Sequence, residues 1–336
     1  MKKAFFINGG AGRVLCSIPA LEYYKENTDS DVVIVAEAWN EIFLSTSLRN
    51  NVYPVGSKDL FEEKLKDRDI ITPEPYRLNA YFNQRVNLIQ AFDMLINGVD
   101  ETVESKSINL DLGKADQVYG YNLVNQVKAQ MQKEKVIVFQ PFGSGVKIEG
   151  NFVYDESGRS FELSDVFRIV DELSKDYGVI LMTNLKIPTD RQMGAAIPDN
   201  ASLLQWMGII NACDYFLGCD SMGQHYAHAL GKPATVVIGS TYPENISYPD
   251  NKNFTIIDNG KEARKYSPYR ITFDPAAERN NEDNMILSES NYKDMMKSVH
   301  NKLGKTVNKS ANLPLSNKSQ QPSAFEKAIK ETVGGK

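Results

Sequence analysis

The stretch CDSMGQHYAHALGKP, residues 219–233, brings together residue types that can do chemistry. Asp220 closes an apolar run and can cap a following helix. Ser221, Met222, Gly223 and Gln224 then form the first turn of that helix. Amide N–H groups in a first turn have no intrahelical acceptor, and the helix dipole adds positive potential there. Glycine lets a ligand approach the backbone closely. Such a tip suits a diphosphate; the plainer alternative is an ordinary capped helix between two strands. His225 and His228 lie three apart on the same helix. That spacing fits a metal pair, but no acidic or thiol partner sits at ligand spacing, so no metal site is expected. Gly231 stops the helix and Pro233 prevents its continuation.

Short apolar runs alternating with helical patterns must position this tip. Residues 3–9, 31–37 and 67–74 read as strands, the last stopped by Pro73 and Pro75. Residues 14–26 read as a helix with Pro19 as a local irregularity, and 79–98 as a helix ending at Gly98. A second alternation follows the charged stretch 128–135. Residues 136–143, 178–184, 213–220, 234–240 and 253–259 read as strands. Residues 163–178 read as an amphipathic helix with Ser164 as N-cap and Gly178 just past its end. This density of alternation predicts parallel sheets with helices on both faces. Two such sets predict two Rossmann-like α/β domains, 1–133 and 134–287, with ligands beyond the carboxyl ends of the strands. A closing helix is expected within 288–304. Residues 305–336 read as a flexible Lys-rich tail, with a short helix from Ser323 that carries Phe325, Ala328 and Ile329 and is available to a partner protein.

Composition bounds the function. The chain has 336 residues, 42% hydrophobic and 24% charged, enough for two domains. Its net charge of −5 argues against coating nucleic acid by bulk charge. The tail carries six Lys and two Glu, so the remainder of the chain is more acidic than the whole. Cys16, Cys213 and Cys219 sit in apolar segments and fit no zinc or redox motif, which suggests buried thiols in a reducing, cytoplasmic setting. No stretch reaches the roughly 18 apolar residues of a membrane span, and MKKAFFINGGAGR does not read as a signal peptide.

Residues 203–245 resemble the signature region of glycosyltransferase family 9, the heptosyltransferase-like enzymes. The matching positions are Ala212 with the strand after it, Asp220, Ser221, His225, Ala229, Gly231, Pro233, Gly239, Thr241 and Pro243. INGGAGRVLCSIPALEYY (7–24) is similar to the family's opening strand, glycine turn and helix, and FQPFGSGVKIEG with GRSFELSDVF to its mid-chain phosphate segment. The resemblance implies a GT-B fold: two Rossmann-like domains facing a central cleft. It also implies inverting, metal-independent sugar transfer, with a nucleotide sugar as co-substrate and no other cofactor.

Carried over by position, the resemblance implies that Ser221, Met222 and Gly223 hold the donor diphosphate, with Asp220, Gln224 and His225 in the same motif. Arg159 takes the place of a phosphate-contacting cation, and Lys147 is a second candidate. Gly143 and Ser144 would line the cleft, and Asn184 would meet the nucleoside. Gly9, Gly10 and Gly12 would form the facing loop. One position departs: the family's catalytic Asp after the glycine turn is Arg13 here. Arginine cannot accept a proton at physiological pH. Glu74 and Glu37, at carboxyl ends of predicted first-domain strands, are the candidate bases, and Arg13 would grip an anion. The acceptor implied is a saccharide or glycan. A hydroxylated base in viral DNA is the alternative, with Arg and Lys of 264–279 tracking phosphates. Two further readings stay open: a sugar-nucleotide epimerase or hydrolase, and a nucleotide-sugar binding protein without catalysis.

Overall fold

Apolar runs buried on both faces build two parallel sheets. The computed structural model describes residues 2–150, 152–155, 157–189, 191–265 and 283–305. The first sheet contains β1 (Lys2–Ile7), β2 (Val33–Ala36), β3 (Val52–Pro54) and β4 (Arg68–Ile71) in the order β3-β2-β1-β4. All its pairs are parallel, with Phe5 opposite Ile34 on one side and Ile71 on the other. Alternate residues serve opposite faces: Phe5, Ile7, Ile34 and Ala36 enter the main core, while Ala4, Val33 and Val35 meet Leu60 and Leu65.

The second sheet contains β5 (Val136–Gln140), β8 (Gly178–Leu181), β9 (Tyr215–Cys219), β10 (Ala234–Ile238) and β11 (Phe254–Asp258), ordered β11-β10-β9-β5-β8 and parallel throughout. Between β5 and β8 lies an antiparallel hairpin, β6 (Val146–Glu149) and β7 (Phe152–Asp155), which the sequence does not predict. Val136 and Val138 pack into the core shared with the first sheet. Ile137 and Phe139 face a second core beneath α5 (Leu163–Asp176) and the closing helix.

The helices between strands are α1 (Ala11–Asn27), α2 (Asn79–Phe82), α3 (Leu88–Asn97), α4 (Lys114–Met131), α6 (Leu203–Ala212), α7 (Met222–Ala229) and α8 (Pro243–Ile246). The closing helix is α9 (Glu289–Leu303), capped by the Ser288 side chain, which accepts from Asn291 N–H. Helix α1 starts three residues before the predicted Val14 and runs through Pro19, so Arg13 sits in its first turn. The predicted helix 79–98 is divided: Gln84 takes a left-handed φ of 56°, and the Asn87 side chain accepts from Gln90 N–H to start α3 afresh. Gly98, at φ 70°, ends α3 as expected.

Ser164 does not cap α5. The N-cap is Glu162, without a side-chain cap bond, and Ser164 lies inside the helix. Gly178 follows the Tyr177 C-cap of α5, as expected, and also opens β8; a Cβ there would come within 2.9 Å of Val127 on α4. Helix α4 precedes residue 133 yet packs on the second half. Gly120 and Gly208 bring α4 and α6 to backbone contact: a Cβ on Gly208 would lie 2.0 Å from Asp116 O. Residues 1–305 form one compact unit. The predicted tail helix from Ser323 lies outside the described residues, as does most of the 264–279 segment. No helix among the described residues is long and apolar enough to cross a membrane.

Candidate functional site

Strand order reverses direction between β1 and β4 in the first sheet, and between β5 and β9 in the second. Loops diverge at such switch points and leave a crevice at the carboxyl ends of the strands. Both crevices open into one cleft of about 670 Å3, a size suited to a small ligand.

From the first half, the cleft is lined by Gly9, Gly10, Ala11, Gly12, Arg13, Trp39 and Tyr76. Gly9 has φ +90°, and a Cβ there would lie 2.8 Å from Arg13 Cδ. A Cβ on Gly12 would lie 2.9 Å from the His225 ring. These glycines therefore let the tips of α1 and α7 meet. Arg13 is buried. Its Nη1 donates to Glu74 Oε1 at 3.1 Å, and its Nη2 to Glu74 Oε2 at 3.2 Å and Pro73 O at 2.9 Å. Its guanidinium also lies over the Tyr76 ring, 5.0 Å from the centroid. Both Glu74 oxygens are thus engaged by Arg13. Glu37 is exposed and does not line the cleft.

From the second half, the β9–α7 turn faces these residues. Ser221 is the N-cap of α7, with no side-chain cap bond, and Asp220, Ser221, Met222 and His225 line the cleft. Asp220 does not cap the helix. It is buried, with Oδ1 accepting from Gln224 Nε2 at 3.0 Å and Oδ2 from Thr241 Oγ1 at 2.8 Å. The Gly223 amide is not directed at the cleft either: it donates to Gln140 Oε1 at 2.9 Å, while Gln140 Nε2 donates to Ser221 Oγ at 3.0 Å. A Cβ on Gly223 would meet Phe216 at 2.6 Å. Gly223 and Gln224 are therefore packing residues behind the tip. Ser221 and Met222 remain at the cleft.

The loop between β7 and α5 supplies the cation. Arg159 donates from Nε to Ser157 Oγ at 2.9 Å and from Nη2 to Ser144 Oγ at 3.2 Å, and Nη1 lies 3.5 Å from Asp220 O. Asp155 fixes this loop by accepting from Ser157 N–H at 2.7 Å and from Ser160 Oγ at 2.5 Å; Ser160 Oγ in turn accepts from Gly143 N–H. Gly143, Ser144 and Arg159 line the cleft. Lys147 does not: it is exposed on the hairpin. Asn184 lines the far end, beside the apolar Met182, Leu203 and Trp206.

His225 is buried, with Nδ1 2.7 Å from Tyr248 Oη, and burial pulls its pKa down to about 4. His228 does not form a metal pair with it. Its ring stacks on Tyr248 at 3.5 Å, its Nδ1 meets Asn251 Nδ2 at 2.9 Å, and burial brings it also to about 4. Among the described residues no group of three or more His, Cys, Asp or Glu could hold a metal ion. The three cysteines are free and buried, as expected.

Sequence reasoning missed Gln140, Tyr76, Trp206, Tyr248 and Trp39. Trp39 follows β2 in a left-handed conformation, φ 63°, with its indole N–H donating to Gly9 O at 3.1 Å. A bulky residue at positive φ is an outlier, and this one leaves over a third of its surface exposed at the cleft. Its only sequence signal was an aromatic residue just past a strand end. Arg264, assigned to a nucleic-acid patch, is instead occupied: it donates to Gly239 O at 2.8 Å and pairs with Asp258.

No family model matches the sequence, and no curated protein matches it. The structure is similar to a family 9 glycosyltransferase from Veillonella parvula (TM-score 0.60, 10% identity, 89% of this chain and 96% of that one). It is also similar to ADP-heptose lipopolysaccharide heptosyltransferase II of E. coli (TM-score 0.53, 15% identity, 76% and 90%). A third similar structure is the iron-containing dodecameric glycosyltransferase TibC of enterotoxigenic E. coli (TM-score 0.54, 12% identity, 90% and 77%). At these identities the likeness shows the fold: the chain is an α/β protein of the GT-B type, two Rossmann-like halves facing a cleft.

Proposed function

We propose that the protein is a glycosyltransferase that moves a sugar from a nucleotide-sugar donor to an acceptor hydroxyl. The observation that carries this reading is the meeting of Ser221 and Met222, at the N-terminus of α7, with Arg159 and Ser144 at the cleft. A helix N-terminus with a preset arginine is complementary to a diphosphate. Arg159 is held by Ser157 and Ser144 before any ligand arrives, so little reorganisation is needed when charge develops on the leaving group. The nucleobase end of the donor fits the apolar wall of Met182, Leu203 and Trp206, with Asn184 at its rim.

The acceptor then lies against the first half, where Trp39 and Tyr76 offer aromatic surface and Arg13 offers charge. The acceptor hydroxyl attacks the anomeric carbon, the sugar–phosphate bond breaks, and the nucleoside diphosphate leaves onto Ser221, Met222 and Arg159. Glu74 takes the hydroxyl proton. It does not line the cleft itself but lies directly behind Arg13, which does; an anionic acceptor or leaving group drawing on Arg13 frees a Glu74 oxygen for this task. A saccharide is the acceptor class that suits an aromatic surface flanked by polar groups. A heptosyl donor, as in the similar ADP-heptose enzyme, is one member of the donor class to be screened.

A second reading, nucleotide-sugar binding without transfer, draws on the engagement of both Glu74 oxygens by Arg13. Mass spectrometry of products from UDP-, ADP- and GDP-sugars with saccharide acceptors separates the two. Glycosylated acceptor and free nucleoside diphosphate support transfer. Intact donor that nevertheless stabilises the protein supports binding alone.

A further inference from the structure

Two buried side chains have no part in the roles above, and both converge on His225. Tyr248 Oη lies 2.7 Å from His225 Nδ1. Cys16 Sγ, on α1, lies 3.6 Å from the same nitrogen. The Tyr248 ring is clamped, stacked on His228 at 3.5 Å and edge-on to Phe254 at 5.5 Å. Its hydroxyl therefore has a fixed position.

Burial raises the Cys16 thiol and the Tyr248 phenol and lowers the imidazole. Near pH 7 all three groups are neutral, and thiol and phenol each have one proton to donate. Two arrangements are possible. In one, Tyr248 O–H donates to His225 Nδ1 at 2.7 Å, with the Cys16 S–H a weak second donor to the same nitrogen, so the imidazole proton sits on Nε2. In the other, His225 Nδ1–H donates to Tyr248 Oη, and the phenol proton has no acceptor among the described residues. The first gives the phenol a strong nitrogen acceptor. A buried hydroxyl without a good acceptor is costly.

The two arrangements differ at the cleft. His225 lines it, and Nε2 is directed toward Gly12, where a Cβ would come within 3.1 Å. No protein acceptor meets Nε2 among the described residues. In the second arrangement a bare lone pair would face the same anion as the N-terminus of α7, which is repulsive. In the first an N–H faces it.

We infer that Tyr248 is a positioning residue whose hydroxyl holds His225 as the Nε2–H tautomer, making His225 a neutral hydrogen-bond donor to the diphosphate of the bound nucleotide. The identity of that ligand rests on the proposed function, but the tautomer does not. A neutral donor adds a contact without a further buried cation beside Arg13 and Arg159.

The test uses the full chain with nitrogen-15 histidine and a two-bond proton–nitrogen correlation at pH 7. The chain has three histidines, assigned with His228→Gln and His300→Gln. His300 is an internal contrast. Its Nδ1 lies 2.9 Å from Tyr177 Oη, which donates to Gly304 O at 2.7 Å, so His300 should be Nδ1–H. The expected result is Nε2–H for His225, with its Nε2 signal shifted by ADP or UDP. Tyr248→Phe should mix the tautomers and weaken nucleotide binding about tenfold, the scale of one hydrogen bond to a charged group. Cys16→Ala should keep the tautomer, because the phenol still donates, and it serves as the second variant if Tyr248→Phe does not fold. An Nδ1–H tautomer for His225 in the unmodified protein overturns the inference. So does a Tyr248→Phe protein with unchanged tautomer and affinity. A protein with the Nε2–H tautomer that binds none of UDP, ADP or GDP overturns the nucleotide reading and the donor role, while Tyr248's hold on the tautomer stands.

Discussion

Arg13 and Glu74, sixty-one positions apart in sequence, form a fork of two hydrogen bonds at 3.1 and 3.2 Å at the switch point of the first sheet. The pair stands just past the glycine turn that follows β1. It joins the first turn of α1 to the loop after β4 and shields the carboxylate from solvent: Arg13 has 5% and Glu74 20% of its side chain exposed.

Glu74→Gln removes the proton acceptor but keeps an oxygen for Arg13. Turnover should fall by at least about 100-fold, the scale of a lost general base, while nucleotide binding persists. Glu37→Gln, on an exposed residue outside the cleft, should leave turnover near the parent value. Steady-state rates and nucleotide titrations on both variants check this. Full turnover in Glu74→Gln would show that the proton goes elsewhere.

Arg159→Ala should weaken nucleoside diphosphate binding by about 10- to 100-fold, as for a lost bond to a charged group. The unliganded melting temperature should change little. Arg159→Lys should recover only part of the affinity, since a point charge cannot span Ser144, Ser157 and a phosphate at once. Equal affinity in all three proteins would remove Arg159 from the donor site.

The strands and the α7 tip were legible because each is written in contiguous residues. Apolar runs such as VIVFQ and ATVVI are buried throughout, and Asp220-Ser221 marks a strand end followed by a helix start. What stayed hidden depends on residues far apart in the chain. Gln140 occupies the Gly223 amide across 83 positions, so the glycine that suggested ligand approach instead makes room for Phe216. The packing of α4 on α6 turns on Gly120 and Gly208, which no periodicity reveals. The β6–β7 hairpin has four-residue strands, too short for a reliable alternation.

Gly208→Ala tests that helix contact. The added methyl would lie 2.0 Å from Asp116 O, a backbone atom that cannot turn aside. The helices must separate, at a cost of about 1–3 kcal/mol or more. Thermal unfolding should show a fall of several degrees, and an unchanged melting temperature would mean that the two helices are not in backbone contact.

Trp39→Ala should raise the acceptor KM about three- to tenfold, the worth of an aromatic contact, with nucleotide affinity unchanged. Trp39→Phe should recover part of the loss. Kinetics with a saccharide acceptor check the split. A rise in donor KM instead would move Trp39 to the other substrate.

Acid should destabilise the fold through His225 and His228. Both have folded values near 4, lowered by burial from an ordinary 6.5. Between these limits the unfolded chain binds more protons than the folded one, so stability falls as pH drops from about 6.5 to about 4. Each buried imidazole contributes a loss on the order of 1–3 kcal/mol over that window. Melting curves at stepped pH read the slope, and His228→Gln should reduce it. A melting temperature constant from pH 7 to 4.5 would mean that these imidazoles are not held neutral by burial.

The central claim is that the cleft binds the diphosphate of a nucleotide, and thermal unfolding with UDP, ADP or GDP tests it most directly. A ligand at 100 times its Kd adds about 2.7 kcal/mol to the native state. At least one of the three should therefore raise the melting temperature by several degrees in a chelator-containing buffer, and Arg159→Ala should abolish most of that shift. No shift with any of them, or a shift that Arg159→Ala leaves intact, would contradict the account.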